Sequence, residues 1–129
     1  MPFVALVVDD SMLVRHTVSR YLEERGFTVE SAANGLEGLE VLTRTRPDVI
    51  ITDMQMPGMG GSEFISALKS KSATASIPIV IVAGRASGCE QAEKRADFAI
   101  YKDIDIIEQL EKALAATVPG AALGHASGK

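Results

Sequence analysis

Two rhythms of apolar residues alternate along this chain. Short runs that are apolar at almost every position give way to longer stretches in which apolar side chains return every three or four residues. The first kind suits strands covered on both faces, and the second suits amphipathic helices. Their alternation predicts βαβ units and a mainly parallel sheet, with five strands and five helices.

The first strand spans Phe3 to Val8, too short for a buried helix. A helix from about Ser11 to Arg25 follows, with Val14, Val18, Tyr21 and Leu22 on one face and Gly26 as its stop. The second strand covers roughly Phe27 to Ala32. Asn34 is placed to cap a second helix, whose Leu36, Leu39 and Leu42 are expected to face the sheet until Pro47 forbids continuation. The third strand is Asp48 to Asp53, and a loop with Pro57, Gly58, Gly60 and Gly61 permits a sharp turn before a third helix near Ser62 to Lys71, carried by Phe64, Ile65 and Leu68. The fourth strand is Ile79 to Val82. The fourth helix, near Ser87 to Arg95, has few large apolar residues, so the weakest docking of the five is expected there. The fifth strand is Phe98 to Tyr101, and a fifth helix from about Ile104 to Ala116 offers Ile106, Ile107, Leu110 and Leu114 to the core. The domain is expected to fill residues 1–118, and the Gly, Ala and Ser tail over 119–129 is expected to be disordered.

Three of the strands end on charge. Phe3 to Val8 runs into Asp9 and Asp10, Val49 to Thr52 into Asp53, and Phe98 to Tyr101 into Lys102. In an open parallel sheet these ends converge on the carboxyl edge, where ligands bind. Three clustered carboxylates repel one another and are best relieved by a hard divalent cation such as Mg²⁺, which prefers oxygen ligands. Three carboxylates and an ammonium in one crevice therefore predict a metal-assisted phosphate site.

Composition narrows the choice. With 129 residues the chain is long enough for one domain with a proper core. A net charge of -4, 5% aromatic residues and no basic cluster argue against nucleic acid. No apolar stretch approaches the roughly 18 residues of a membrane span, and no basic segment precedes the first one, so a cytoplasmic protein is expected. The single cysteine, Cys89, fits a structural thiol in a reducing compartment. Met12, Met54, Met56 and Met59 gather near the site; thioethers suit copper(I), but ordinary packing is the simpler reading. His16 and His125 support no histidine-based site.

Together, Val-Val-Asp-Asp-Ser at 7 to 11, Thr-Asp-Met-Gln-Met-Pro-Gly at 52 to 58, and Lys102 resemble the response-regulator receiver domain of two-component signalling, over about residues 3 to 116. The resemblance implies a doubly wound, flavodoxin-like (βα)5 fold with sheet order 2-1-3-4-5. It implies that Asp53 takes a phosphoryl group from the phosphohistidine of a histidine kinase or histidine phosphotransfer protein. Asp9, Asp10 and Asp53 would hold Mg²⁺ together with the backbone carbonyl of Gln55, and Lys102 would pair with the phosphoryl oxygens. The chemistry agrees: phosphoryl transfer asks mainly for positioning and charge neutralisation, and an aspartyl phosphate is labile enough to serve as a reversible signal. No enzyme acting on outside substrates is expected.

The chain departs from the family's pattern at the readout. Ala83 stands where a Ser or Thr hydroxyl usually bonds the phosphoryl group, and Ala99 stands where an aromatic residue usually changes rotamer with it. Lys102 is followed by Asp103 instead of proline, and the stretch from Ala83 to Lys102 is a few residues short. One hydrogen bond lost to a charged group costs roughly 1.5 to 3 kcal/mol, which slows transfer without abolishing it. Gly84 leaves room for an attacking water, flanked by Gln55 and Arg85, so these three are expected to set the phosphoryl lifetime. The leading reading is a receiver without an attached output domain, signalling through contacts with a downstream protein; a homodimer is left open. The alternatives are a phosphate-independent binding module with a degenerate switch, and a Mg²⁺-dependent phosphohydrolase, against which stands the lack of a second acid shortly after Asp53.

Overall fold

The computed structural model describes residues 3–54, 56, 58–83, 96–101 and 105–118. Gln55, Pro57, Gly84, Arg85, Cys89, Lys102, the predicted fourth helix and the 119–129 tail lie outside the described residues.

Five parallel strands form one sheet in the order β2-β1-β3-β4-β5: β1 (Val4–Val8), β2 (Thr28–Ala32), β3 (Val49–Asp53), β4 (Ile79–Ala83) and β5 (Phe98–Tyr101). The central strands β3 and β4 are buried throughout, and β1 is buried from Ala5 onward. Their Val and Ile residues suit a sheet covered on both sides. Four helices are described: α1 (Met12–Glu24), α2 (Gly35–Val41), α3 (Gly61–Lys69) and α4 (Ile106–Thr117), the last corresponding to the fifth of the predicted set.

The strand period of two divides the core. Val7, Ile51, Val82 and Ile100 share one face with α1, through Val18, Tyr21 and Leu22, and with α4, through Leu110, Ala113 and Leu114. Leu6, Ile50, Ile79 and Ile81 share the other with α2 and α3, through Val41, Phe64, Ile65 and Leu68. The fold is therefore the three-layer α/β architecture expected from the sequence.

Two helix faces differ from the expectation. Leu36 is 60% exposed, and α2 meets its neighbours through Gly35, Gly38 and Val41, with Leu39 and Leu42 only partly buried. A Cβ at Gly38 would lie 3.0 Å from the Phe64 ring, and one at Gly35 2.7 Å from the Met59 side chain, so close approach has replaced leucine packing. The helix also stops at Val41, well before Pro47. On α4, Ile107, expected in the core, is 36% exposed, while Ala113, which was not expected there, is fully buried. The Asn34 cap matches the reading, its carboxamide accepting the Glu37 N–H, and the Ser11 hydroxyl caps α1 by accepting the Val14 N–H.

Acids at the amino edge of the sheet have a different use. The Asp48 carboxylate accepts the Val4 N–H, and that of Asp97 accepts the Ile79 N–H, each at 2.8 Å. They fasten neighbouring strands where β1 and β4 begin.

Candidate functional site

At the carboxyl edge, β1 and β3 lie side by side with Val8 opposite Thr52. The next residues are Asp9 and Asp53. Both are buried, 2% and 3% exposed, while Asp10 is exposed. Carboxylate oxygens of all three lie within 4.8 Å of one another.

Local hydrogen bonds hold the two buried acids. The Asp9 N–H donates to the Ala32 carbonyl at 3.0 Å, continuing the bonding between β1 and β2 past the last paired residue. The Asp9 carboxylate accepts the Ser11 N–H at 2.8 Å, and its carbonyl accepts Nη1 of Arg15, also at 2.8 Å. Because Ser11 caps α1, neither acid is needed for that purpose. Asp53 closes β3 beside Val82, and its Oδ1 accepts the Met54 N–H at 2.8 Å. The Met54 carbonyl in turn accepts the N–H of Gly61, the first residue of α3.

That contact explains Gly61. A Cβ there would lie 2.6 Å from the Asp53 carbonyl oxygen and 2.7 Å from Met54 Cα. Only glycine lets the start of α3 rest on the peptide that follows Asp53.

The donor set can be tested against a metal. Two like charges 4.8 Å apart repel by about 3 kcal/mol at an effective dielectric of about 20. Three carboxylates gathered at a sheet edge supply hard oxygen donors, with one side open through Asp10 to solvent. Such a set fits a hard divalent cation that keeps several waters, as Mg²⁺ does.

The positions expected to carry the readout lack the usual groups. Ala83 closes β4, buried and in register with Tyr101 of β5. Ala99 pairs with Ile81 and packs on the α3 side of the sheet. The nearby Thr52 hydroxyl is no substitute: it is fully buried and donates to the Asp53 carbonyl at 2.9 Å. Met54, Met56 and Met59 pack against the core on that same side, whereas Met12 is 73% exposed. The methionines therefore form no single cluster.

The sequence model of the response regulator receiver domain matches residues 5–115. The chain belongs to this family. As a receiver domain it is a signalling module of two-component systems, a family that binds Mg²⁺ in an acidic pocket and interacts with histidine kinases and phosphotransfer proteins. The chemotaxis response regulator CheY4 of Vibrio cholerae has a similar structure, with a TM-score of 0.81, 32% identity and coverage of 92% of this chain and 100% of that one. The response regulator MprA of Mycobacterium sp. (strain KMS) is 36% identical over 91 residues, 70% of this chain and 39% of the relative. Sporulation initiation phosphotransferase F of Bacillus subtilis is 38% identical over 64 residues, 50% of this chain and 52% of the relative. The receiver domain thus spans well under two thirds of the length of these curated relatives.

Sequence reasoning missed Arg15, Gly61 and the α4 residue Gln109, whose carboxamide bonds Tyr101 and Asp105. Gly61 stood in a run of glycines that signalled a turn without singling it out. Arg15 and Gln109 are polar residues on helices, where periodicity says nothing about what a side chain reaches. Among the described residues, no helix is long and apolar enough to cross a membrane.

Proposed function

We propose that this receiver domain is a Mg²⁺-dependent phosphoacceptor, modified on Asp53 by the phosphohistidine of a histidine kinase or a histidine phosphotransfer protein. The observation that carries the reading is the convergence of Asp9, Asp10 and Asp53 to within 4.8 Å at the carboxyl edge of the sheet. In the transfer, the N–P bond of the donor breaks as a bond forms between an Asp53 carboxylate oxygen and phosphorus. The histidine nitrogen leaves with the electron pair of the broken bond.

Asp9, Asp10, Asp53 and the backbone carbonyl of Gln55 would hold the metal, and Lys102 would meet the phosphoryl oxygens. When bound, Mg²⁺ supplies charge neutralisation, without which an incoming phosphoryl dianion meets three carboxylates. The Met54 N–H holds one Asp53 oxygen at 2.8 Å, which fixes the orientation of the nucleophile. Gln55, Gly84 and Arg85 would set the lifetime of the product through access of water. The site of action would be the cytoplasm, and the output contact with another protein.

A second reading is a phosphate-independent binding module. It draws on the methyl groups at Ala83 and Ala99, which offer no hydrogen bond to a phosphoryl group and no aromatic ring to turn. Intact mass after incubation with Mg²⁺ and a small acyl phosphate, beside Asp53→Ala, separates the two. A gain of one phosphoryl group, about 80 Da, in the wild type alone supports the first reading. A wild type that binds Mg²⁺ yet takes no label from any donor favours the second.

A further inference from the structure

Nη1 of Arg15 donates to the Asp9 carbonyl at 2.8 Å. Arg15 stands in the first turn of α1, its own N–H bonded to the Ser11 carbonyl at 2.9 Å. Side chains on a helix lean toward its N-terminus, so from this position the half-buried arginine reaches back to the end of β1. The carbonyl it meets belongs to the peptide that joins Asp9 to Asp10.

Asp10 needs such a tie more than its neighbours do. Asp9 is buried, with its N–H bonded to Ala32 and its carboxylate to Ser11. Asp53 closes a paired strand. Asp10 is exposed and lies between β1 and α1, and among the described residues no hydrogen bond or ion pair holds its carboxylate. What fixes it is the backbone on either side. The preceding peptide is held through its oxygen by Arg15, and the following one through the Ser11 N–H by the Asp9 carboxylate. Each peptide is a rigid plane, so holding both sets the direction in which the Asp10 side chain leaves the backbone.

Neither helix stability nor charge explains an arginine at this place. A positive charge in the first turn opposes the helix dipole, which favours acids there, and α1 has none in that turn. A guanidinium close to the acids also repels a cation approaching them.

We propose that Arg15 is a positioning residue for the metal acids: by holding the Asp9 carbonyl it sets the peptide from which Asp10 is aimed toward Asp9 and Asp53. The assignment rests on the reading of those three carboxylates as the Mg²⁺ site. The sign of the effect on Mg²⁺ affinity separates it from the other roles. Positioning predicts weaker binding when Arg15 is replaced, relief of charge repulsion predicts tighter binding, and a purely structural role predicts lower stability in urea with unchanged affinity.

The test is titration of the full chain with MgCl₂, read from the backbone amide resonances of Ser11 and Met54, whose N–H groups donate to the Asp9 and Asp53 carboxylates. Arg15→Met introduces an unbranched helix former without charge or donors. Its Mg²⁺ dissociation constant is expected to rise about tenfold, the low end for partners that orient metal ligands. An unchanged or lower constant would overturn the assignment. In an Asp10→Ala background no carboxylate is left to aim, and the same change is expected to weaken binding no further. An equal rise in both backgrounds would overturn it too. Should Arg15→Met not fold, Arg15→Gln, whose side chain ends short of the carbonyl, is expected to show the same rise, and wild-type affinity in that variant would count equally against the proposal. Failure of the underlying metal reading is distinguishable, because the wild-type Ser11 and Met54 resonances would then not respond to MgCl₂, and the assignment would fall with it.

Discussion

Asp9 and Asp53 stand one residue beyond the last paired positions of two hydrogen-bonded strands, both buried, with carboxylate oxygens within 4.8 Å. Adjacent buried acids raise the energy of the metal-free protein, so a divalent cation should stabilise it visibly. At ten times its dissociation constant, Mg²⁺ should add about 1.4 kcal/mol, a rise of about 5 °C in melting temperature for a domain of this size. Asp9→Asn should abolish most of that rise. Thermal melts with Mg²⁺ and with excess chelator measure it, and equal shifts in the variant and the wild type would remove Asp9 from the metal site.

The contact between Gly61 and the Asp53 carbonyl gives a second expectation. The atoms a Cβ would strike are backbone, which cannot swing aside as a flexible side chain can. Gly61→Ala should cost about 1 to 3 kcal/mol in urea unfolding and slow phosphorylation by displacing the peptide after Asp53. A variant as stable and as reactive as the wild type would show that α3 does not bear on the acceptor.

Ala83→Thr tests the missing hydroxyl. A hydrogen bond to the phosphoryl group is worth roughly 1.5 to 3 kcal/mol, so the equilibrium with a phosphodonor should shift toward the phosphorylated form by about tenfold or more. The site is only 6% exposed, and the added atoms should destabilise the unmodified protein by about 1 kcal/mol. Intact mass at fixed donor concentration reads the first effect and urea unfolding the second. No gain in phosphorylated fraction would mean that a hydroxyl at the end of β4 does not reach the phosphoryl group.

Tyr21 makes stability depend on alkaline pH. Burial pushes its phenol above the usual value of 10.0, opposed by Arg25, whose Nε–H donates to the phenol oxygen at 2.8 Å and whose guanidinium lies 4.2 Å from the ring centroid. The folded state thus holds its proton more tightly than the unfolded chain does. The contribution of Tyr21 is complete below pH 10.0 and is lost as pH rises through the folded value. Urea midpoints against pH should fall in this window, and fall less in Tyr21→Phe. Parallel curves for the two proteins would exclude the effect.

The strands and their charged ends were legible because a run such as Val-Val-Asp-Asp couples a hydropathy signal to an abrupt change of charge. The acids thereby came with their place on the sheet edge. Helix α1 was legible for a related reason: its buried face is built from Val18, Tyr21 and Leu22, which the helical period picks out. On α2 the same reasoning chose Leu36, because hydropathy weights leucine and ignores glycine. The helix in fact meets its neighbours at Gly35 and Gly38, where the absence of a side chain is what permits contact. Ile107 failed for a different reason, since α4 turns Ala113 inward and leaves the larger residue at the rim. Gln109 could not have been found from pattern alone, because its partners are backbone groups.

The order β2-β1-β3 also governs when the site comes into being. Asp9 and Asp53 are 44 residues apart in the chain, and they meet only after α1, β2 and α2 have been laid down between them and β3 has docked on β1. Contacts of such sequence separation form only when the cost of closing the intervening loop has been offset. A nascent chain, or one whose sheet has come apart, has no convergent acids to draw in a cation. On the proposed function, competence to accept a phosphoryl group would then report on the integrity of the fold, and a donor protein would pass over misfolded copies without a separate means of inspecting them.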